Sequence, residues 1–256
     1  MGVSDDMVPR PNKRGGVQDA EDDASRAKFE SAGGCAIPPK KGWHLTQMFE
    51  AMERRELTCL YVLGENPAQS EADSRRATQL LSGLDFIVAQ DIFLTKTAQL
   101  ADVVLPATAA WCESEGTVTN SERRVQRVRR AVPPPSGARD DIEIVCALSR
   151  RLGRDLGDPT PEQIWDEVRS LSPMHAGMSY ARLEEHDGLR WPCYDEQHPG
   201  EAFLHARLWE RPVKGPRAPV HSVEHRAPAD PLSDDFPIRP TTGRRLPEYN
   251  LSLIHN

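Results

Sequence analysis

The chain has 256 residues and a formal net charge of -7, which leaves room for one or two domains and gives no reason to propose nucleic-acid binding. Its 38% hydrophobic content and 22 prolines are lean for one compact domain, so a substantial share is expected to be connector or tail. The five cysteines (Cys35, Cys59, Cys112, Cys146, Cys193) are scattered singly, which excludes a zinc or iron–sulfur site built from local spacing.

Residues 1–41 read as an irregular segment. Pro9, Pro11, Gly15, Gly16, Asp22 and Asp23 break any periodicity, although residues 24–32 could hold two helical turns. This stretch carries no apolar signal core, and no run in the chain approaches the roughly 18 apolar residues of a membrane span. The expectation is therefore no signal peptide, no membrane association and a reducing cytoplasmic setting. A helix is expected from Leu45, with Leu45, Met48, Phe49 and Met52 at i, i+3, i+4 and i+7.

Residues 57–63 form a short apolar, β-branched and aromatic run stopped by Gly64, the pattern of a strand. A helix over 70–82 follows, with Ala77, Leu80 and Leu81 on one side and Gly83 as its stop. The runs 86–89 and 102–105 supply two more strands, the latter closed by Pro106. Near-continuous apolar strands separated by helices argue a parallel sheet covered on both faces, spanning residues 42–155. Ligands of such sheets sit beyond the carboxyl ends of the strands. There the sequence places Gly64, Glu65 and Asn66, then Gln90 and Asp91, then Pro106 with Glu113 and Ser114 shortly after. Amide and carboxylate groups at three strand exits suit a purine base and ribose. The same residues have ordinary duties too, Asn66–Pro67 as a turn and Asp91 as a helix cap, and both readings stand at this level.

Beyond Trp111, five arginines (Arg123, Arg124, Arg127, Arg129, Arg130) alternate with Val125, Val128 and Val132 and read as a solvated face. Three prolines, 133–135, stiffen the next connection. Asp140 or Asp141 then caps a helix with the stripe Ile142, Val145, Leu148 and Leu152, ended by Gly153. Thr160, Pro161 and Gln163 give a capping box for a further helix whose apolar face is Ile164, Trp165, Val168 and Leu171. Residues 156–231 otherwise read as a helical and irregular connector with weak helical character over 180–185. Its histidines (His175, His186, His198, His205, His221, His225) have no metal-ligand spacing and read as solvated. From residue 232 to 256 a strand beginning near Phe236 enters a Thr242-Gly243-Arg244 turn. Backbone N–H groups, a hydroxyl and a guanidinium there make phosphate-binding chemistry.

Four stretches taken together carry a resemblance. Val62-Leu-Gly-Glu-Asn-Pro-Ala-Gln-Ser70, Val88-Ala-Gln-Asp-Ile-Phe-Leu-Thr95, Ala101-Asp-Val-Val-Leu-Pro106 and Glu113-Ser-Glu-Gly-Thr-Val-Thr-Asn-Ser-Glu-Arg-Arg124 recur in this order in the molybdopterin oxidoreductases. The wording is most similar to the catalytic alpha subunits of NAD-dependent formate dehydrogenases, over roughly residues 40–250. The resemblance implies an α/β fold: a Rossmann-like parallel sheet with flanking helices, an irregular connector, and the first strand of a truncated C-terminal dinucleotide-binding β-barrel domain. It implies a molybdopterin guanine dinucleotide cofactor carrying molybdenum, with Gly64, Glu65, Asn66, Gln90, Asp91, Ser114 and Asp141 among its contacts and Thr242, Gly243 and Arg244 as the pterin- or phosphate-facing turn. A carboxylate accepting two guanine N–H groups is the natural role for Asp91 or Asp141. At Ser114 some members of the family carry a lysine, so a weaker phosphate contact is expected there.

The family's molybdenum ligand, a cysteine or selenocysteine followed by a histidine, has no counterpart here, nor do its iron–sulfur cysteines. No catalytic or metal-ligating residue is therefore assigned. The chain is expected to be an internal segment, inactive alone, of a subunit that oxidises formate and passes electrons through iron–sulfur clusters and diaphorase-type partner subunits to NAD. The last six residues do not resemble the family's continuation. The alternatives are a segment of another molybdopterin oxidoreductase, such as a nitrate reductase, or a non-catalytic nucleotide-binding or assembly module. The coding sequence on either side discriminates them.

Overall fold

In the computed structural model the described residues are 13–14, 18–19, 21–40, 42–204, 220–227 and 231–238. They fall in two units, Met1–Ala202 and Phe203–Asn256, each taken by itself.

The first unit opens on a two-residue antiparallel ladder, β1 (Lys13–Arg14) with β2 (Gln18–Asp19), and helix α1 (Asp23–Gly33). Asp22 caps α1 through Ser25 N at 2.7 Å. Lys28 of α1 donates to the carbonyl of Leu171 at 2.8 Å, as does Gln18. Helix α2 (Leu45–Glu53) starts where the apolar stripe predicts. His44 and Gln47 close a reciprocal cap, and Phe49 and Met52 are buried while Leu45 stays exposed.

The three expected strands are β3 (Cys59–Leu63), β4 (Phe86–Asp91) and β5 (Val103–Pro106), all parallel in the order β3-β4-β5. Gln90 and Asp91 thus belong to the end of a strand and not to the loop beyond it. The expected helix over 70–82 is two helices. Pro67 at the first helical position begins α3 (Pro67–Ser70) early, and Asp73, accepting from Arg76 N at 2.9 Å, caps α4 (Ser74–Ser82) afresh. One sheet face carries Val62 and Ile87 into a core with Phe49 and Met52 of α2 and Ala77 and Leu81 of α4, and Ala89 is buried on the same face.

The expectation of helices on both faces is corrected. The register places Cys59, Tyr61, Leu63, Phe86, Val88, Gln90, Val103 and Leu105 on the other face. There Tyr61 is 38% exposed, Leu63 48%, Phe86 43% and Val103 39%, while Gln90 is buried against Asp141, so among the described residues this face is covered only in part. The physical reason is the strand order. Both connections step the same way across the sheet, and right-handed crossovers that step one way lie on one side.

The arginine-rich stretch is a solvated face only at Arg129 and Arg130, which are exposed. It is an antiparallel hairpin, β6 (Gly116–Thr119) with β7 (Arg124–Val128), to which β8 (Leu189–Arg190) adds. Asn120 turns it by accepting from the N–H groups of Glu122 and Arg124, both at 3.0 Å. Arg127 lies over the Tyr180 ring at 3.6 Å and pairs with Glu115 and, at 3.2 Å, with Glu184. Arg123 stacks on Trp191 at 5.3 Å and donates to the carbonyls of Glu201 and Ala202, each at 3.1 Å. Arg190, Asn120 and Arg124 together hold the Glu122 carboxyl down at about 2.

Helix α5 (Asp141–Arg151) forms as expected but buries Ile144 and Cys146. Val145, Leu148 and Leu152 of the predicted stripe are exposed. Helix α6 (Pro161–Leu171) has its capping box from Thr160 and Gln163 and buries Trp165. With helix α7 (Tyr180–Glu185), Val125, Met178, Leu183, Leu189, Trp191 and Cys193, it builds a second core.

The expectation of solvated histidines fails at His175, which is fully buried between Trp165 and Trp191, ring centroids 5.9 and 6.3 Å away. Its Nδ1 meets Ser172 Oγ at 2.7 Å, and burial holds the imidazole down at about 4. Spacing alone did not signal this site, because an imidazole among tryptophans is decided by packing.

Of the second unit, Ser233 and Phe236 close a turn through N–H to carbonyl bonds of 3.1 and 3.2 Å. The described part of the expected strand, Phe236, Pro237 and Ile238, makes no ladder among the described residues. The rest of it, with Thr242, Gly243 and Arg244, lies outside the described residues.

Candidate nucleotide-binding site

The carboxyl ends of β3 and β4 are joined at the backbone where Gly64 N donates to Gln90 O at 2.9 Å. Gly64 turns the chain out of β3 at φ +64°, with no atom within 4 Å of where a Cβ would stand. Glu65 follows, exposed. Asn66 does not point outward. Its Oδ1 accepts from Thr97 N at 3.0 Å and Thr97 Oγ1 at 2.9 Å, and its Nδ2 donates to Gln69 Oε1 at 3.3 Å. Thr97 Oγ1 in turn accepts from Ala68 N at 3.0 Å. Asn66 therefore ties the loop after β3 to the loop after β4, a longer-range duty than the simple turn weighed above.

Gln90 is buried, and its amide is held on both sides: Tyr61 Oη donates to its Oε1, and its Nε2 donates to Asp141 Oδ1. Asp141 reaches this position because Arg139 N donates to Pro106 O and Thr108 N donates to Arg139 O, both at 3.1 Å. This one-residue parallel bridge lies beside the end of β5. The choice between the two aspartates is settled by geometry. Asp140 is the cap of α5, accepting from Ile142 N at 2.9 Å, and the Asp141 carboxylate turns to Gln90. Burial, with the charges of Asp140 and Asp91 nearby, pushes the Asp141 carboxyl up, against the lowering effect of the Gln90 bond. Asp91 accepts from Phe93 N at 3.1 Å in a local bend, and no helix starts there for it to cap.

Ser114, buried at the start of the hairpin, and Asp141 line one cleft of about 240 Å³ with Asp140, Ile142, Trp165 and Tyr180. The fold thus brings Gln90, Asp91, Ser114 and Asp141 to one end of the sheet across a long stretch of sequence, with Gly64 and Glu65 at the neighbouring strand exit. Missed by sequence reasoning were Tyr61 and Thr97, which orient Gln90 and Asn66. Tyr61 is legible only once the register puts it and Gln90 on one face. Among the described residues no group of three His, Cys, Asp or Glu side chains converges as a metal site. No helix among them is long and apolar enough to cross a membrane.

A sheet end carrying amide and carboxylate groups is the candidate ligand site of such a fold, and comparison with known proteins gives the family. Residues 16–151 match the family described as Molybdopterin oxidoreductase. The F420-dependent formate dehydrogenase subunit alpha of Methanocaldococcus jannaschii is 40% identical over 253 residues, 97% of this chain and 36% of that protein. Formate dehydrogenase H of Escherichia coli is 32% identical over 96% of this chain and 34% of its own length. The putative formate dehydrogenase YrhE of Bacillus subtilis is 42% identical over 74% of this chain and 19% of its own. The chain belongs to the molybdopterin oxidoreductase family, and its homologues include formate dehydrogenase alpha subunits. It spans about a third of the length of the first two relatives and a fifth of the third.

Proposed function

We propose that this chain is the part of a formate dehydrogenase alpha subunit that holds the guanosine end of molybdopterin guanine dinucleotide, the whole protein oxidising formate to carbon dioxide. The observation that supports it best is the half-buried Asp141 carboxylate, relieved of capping by Asp140 and aimed with Gln90 at the strand ends. Such a donor set fits the group. A carboxylate can accept two N–H bonds from a guanine edge, Gln90 orients that carboxylate, Asp91 offers an acceptor for ribose hydroxyls, and Ser114 offers a hydroxyl donor for a phosphate oxygen. Gly64 and Glu65 leave backbone and carboxylate open at the neighbouring exit, while Asn66 holds that loop in place. Thr242, Gly243 and Arg244 carry the phosphate-facing part of the proposal on their chemistry. When bound, the cofactor supplies the redox chemistry, and these residues bind and orient it.

The test is titration of this chain with guanosine monophosphate. Asp141→Asn should weaken binding by about one to two decades, the worth of a charge-assisted bidentate pair, and Asp91→Ala by about one decade, the worth of a single charge-assisted hydrogen bond. Unchanged binding together with a lowered melting temperature assigns both residues to structure.

Iron–sulfur clusters, diaphorase-type partner subunits, a cytoplasmic setting and NAD as acceptor belong to the same proposal, on the strength of the resemblance. The Methanocaldococcus jannaschii relative is F420-dependent, so the acceptor needs its own assay. Formate-dependent reduction of NAD by the intact enzyme supports the proposal, and reduction of F420 alone replaces NAD with F420.

A further inference from the structure

A side-chain amide buried in a sheet face needs both of its ends paired, because an orphaned end costs the free energy of a lost hydrogen bond. The register sets Gln90 between Leu63 of β3 and Leu105 of β5, with Tyr61 one diagonal step away on the same face. Tyr61 Oη donates to Gln90 Oε1, and Gln90 Nε2 donates to Asp141 Oδ1. The nearest neighbours on this face, Leu63, Val88 and Leu105, are apolar, so among the described residues Tyr61 is the side chain that holds Oε1. Burial and the Asp141 charge push the Tyr61 phenol up, which keeps it protonated and able to donate at neutral pH.

The direction of this relay has a chemical consequence. Turned this way by Tyr61, the amide presents an N–H to Asp141 and favours the ionised carboxylate. An ionised carboxylate only accepts, and it matches the adjacent N1–H and N2–H donors of guanine. A protonated carboxyl donates once and accepts once, which matches the N1 acceptor and N6–H donor of adenine. With the amide reversed, Oε1 faces the carboxyl and favours that protonated form. The charge state of Asp141 therefore decides which purine fits. We propose that Tyr61 is a positioning residue that makes this site select guanine over adenine, acting through Gln90 on Asp141. The inference rests on the guanosine reading of the site and adds the source of its base selectivity. Other ionisable groups also face Asp141: Asp140 at the same helix start, Asp91 of β4, and Glu115, Tyr180 and Glu167 along the adjoining clefts.

Tyr61→Phe removes one hydroxyl and leaves all of these groups in place. Carbon-13 NMR of the Asp141 carboxyl in the free chain should show its titration moved to higher pH. Guanosine monophosphate binding needs the ionised carboxylate, so its loss on acidification should also begin at higher pH than in the wild type. Between the two midpoints the preference for guanosine over adenosine monophosphate should fall about tenfold, the worth of one charge-assisted hydrogen bond. A wild-type chain with no preference for guanosine monophosphate, or Asp141→Asn binding it as the wild type does, overturns the guanosine reading and this inference together. Where that reading stands, an Asp141 titration or a nucleotide preference left unmoved by Tyr61→Phe overturns this inference alone. Equal weakening of both nucleotides with a lowered melting temperature does the same, assigning the Tyr61 hydroxyl to stability.

Discussion

Two adjacent aspartates at the start of α5 have different work. Asp140 satisfies an N-terminal N–H of the helix, so Asp140→Ala should cost about 1 kcal/mol, measured by urea unfolding. Asp141 is the reverse case. Its folded-state carboxyl is raised above the ordinary value, so the ionised form is less favourable folded than unfolded, and this penalty is present once the pH exceeds the folded value. At neutral pH Asp141→Asn is therefore expected to raise the melting temperature while weakening guanosine monophosphate binding. A lowered melting temperature with unchanged binding would place Asp141 among the structural residues. His175 has its own pH signature. Its neutral form is held from the ordinary 6.5 down to about 4. On acidification the unfolded chain takes up the proton first, so stability is intact above about 6.5 and falls until about 4, by up to about 3 kcal/mol. Unfolding free energies measured across that window should flatten in His175→Asn; an unchanged slope would point to another group.

Between elements, the decisive contact is the clamp of Asn66 by Thr97, which joins the loops after β3 and β4. Thr97 is fully buried, and Thr97→Val removes a donor from Asn66 Oδ1 and an acceptor from Ala68 N. The expected cost is about 1–3 kcal/mol, because Ala68 N is left unpaired in the interior while Asn66 Oδ1 keeps the Thr97 backbone N–H. A loss below 1 kcal/mol in urea unfolding would mean that the loops are held by packing alone. The hairpin shows the same logic in charged residues. Arg127 and Arg123 sit over the rings of Tyr180 and Trp191, so these guanidinium groups serve as packing surface as well as charge.

For the whole molecule, the first unit carries two cores, one under the parallel sheet and one between the hairpin and residues 165–193. The proposed function assigns the site residues to binding the cofactor and none to ligating molybdenum or iron–sulfur clusters, so this chain supplied with molybdenum cofactor and NAD is expected to show no formate-dependent NAD reduction. Reduction above a metal-free control would refute the segment reading.

Local pattern was enough for the parts governed by local physics. The apolar runs ended at Gly64 and Pro106 became β3 and β5, and the capping box at Thr160 and Gln163 started α6. The start of α2 near Leu45 was equally legible, because caps and periodicity act within one or two turns. Family wording pointed to the strand ends where Gln90 and Asp91 lie. Tertiary structure decided the remainder. Arginines became packing surface in the β6–β7 hairpin and His175 sank between two tryptophans, since burial depends on partners far away in sequence. The stripe of α5 stayed in water, because periodicity states which side of a helix is apolar and not whether anything covers it. The split between Asp140 and Asp141 was settled by the bridge of Arg139 to Ala107, a contact across the sheet that no spacing encodes. The partly open face of the sheet was equally invisible. Apolar strands say that a parallel sheet wants two covers, and only the order β3-β4-β5 shows that its own crossovers can supply one.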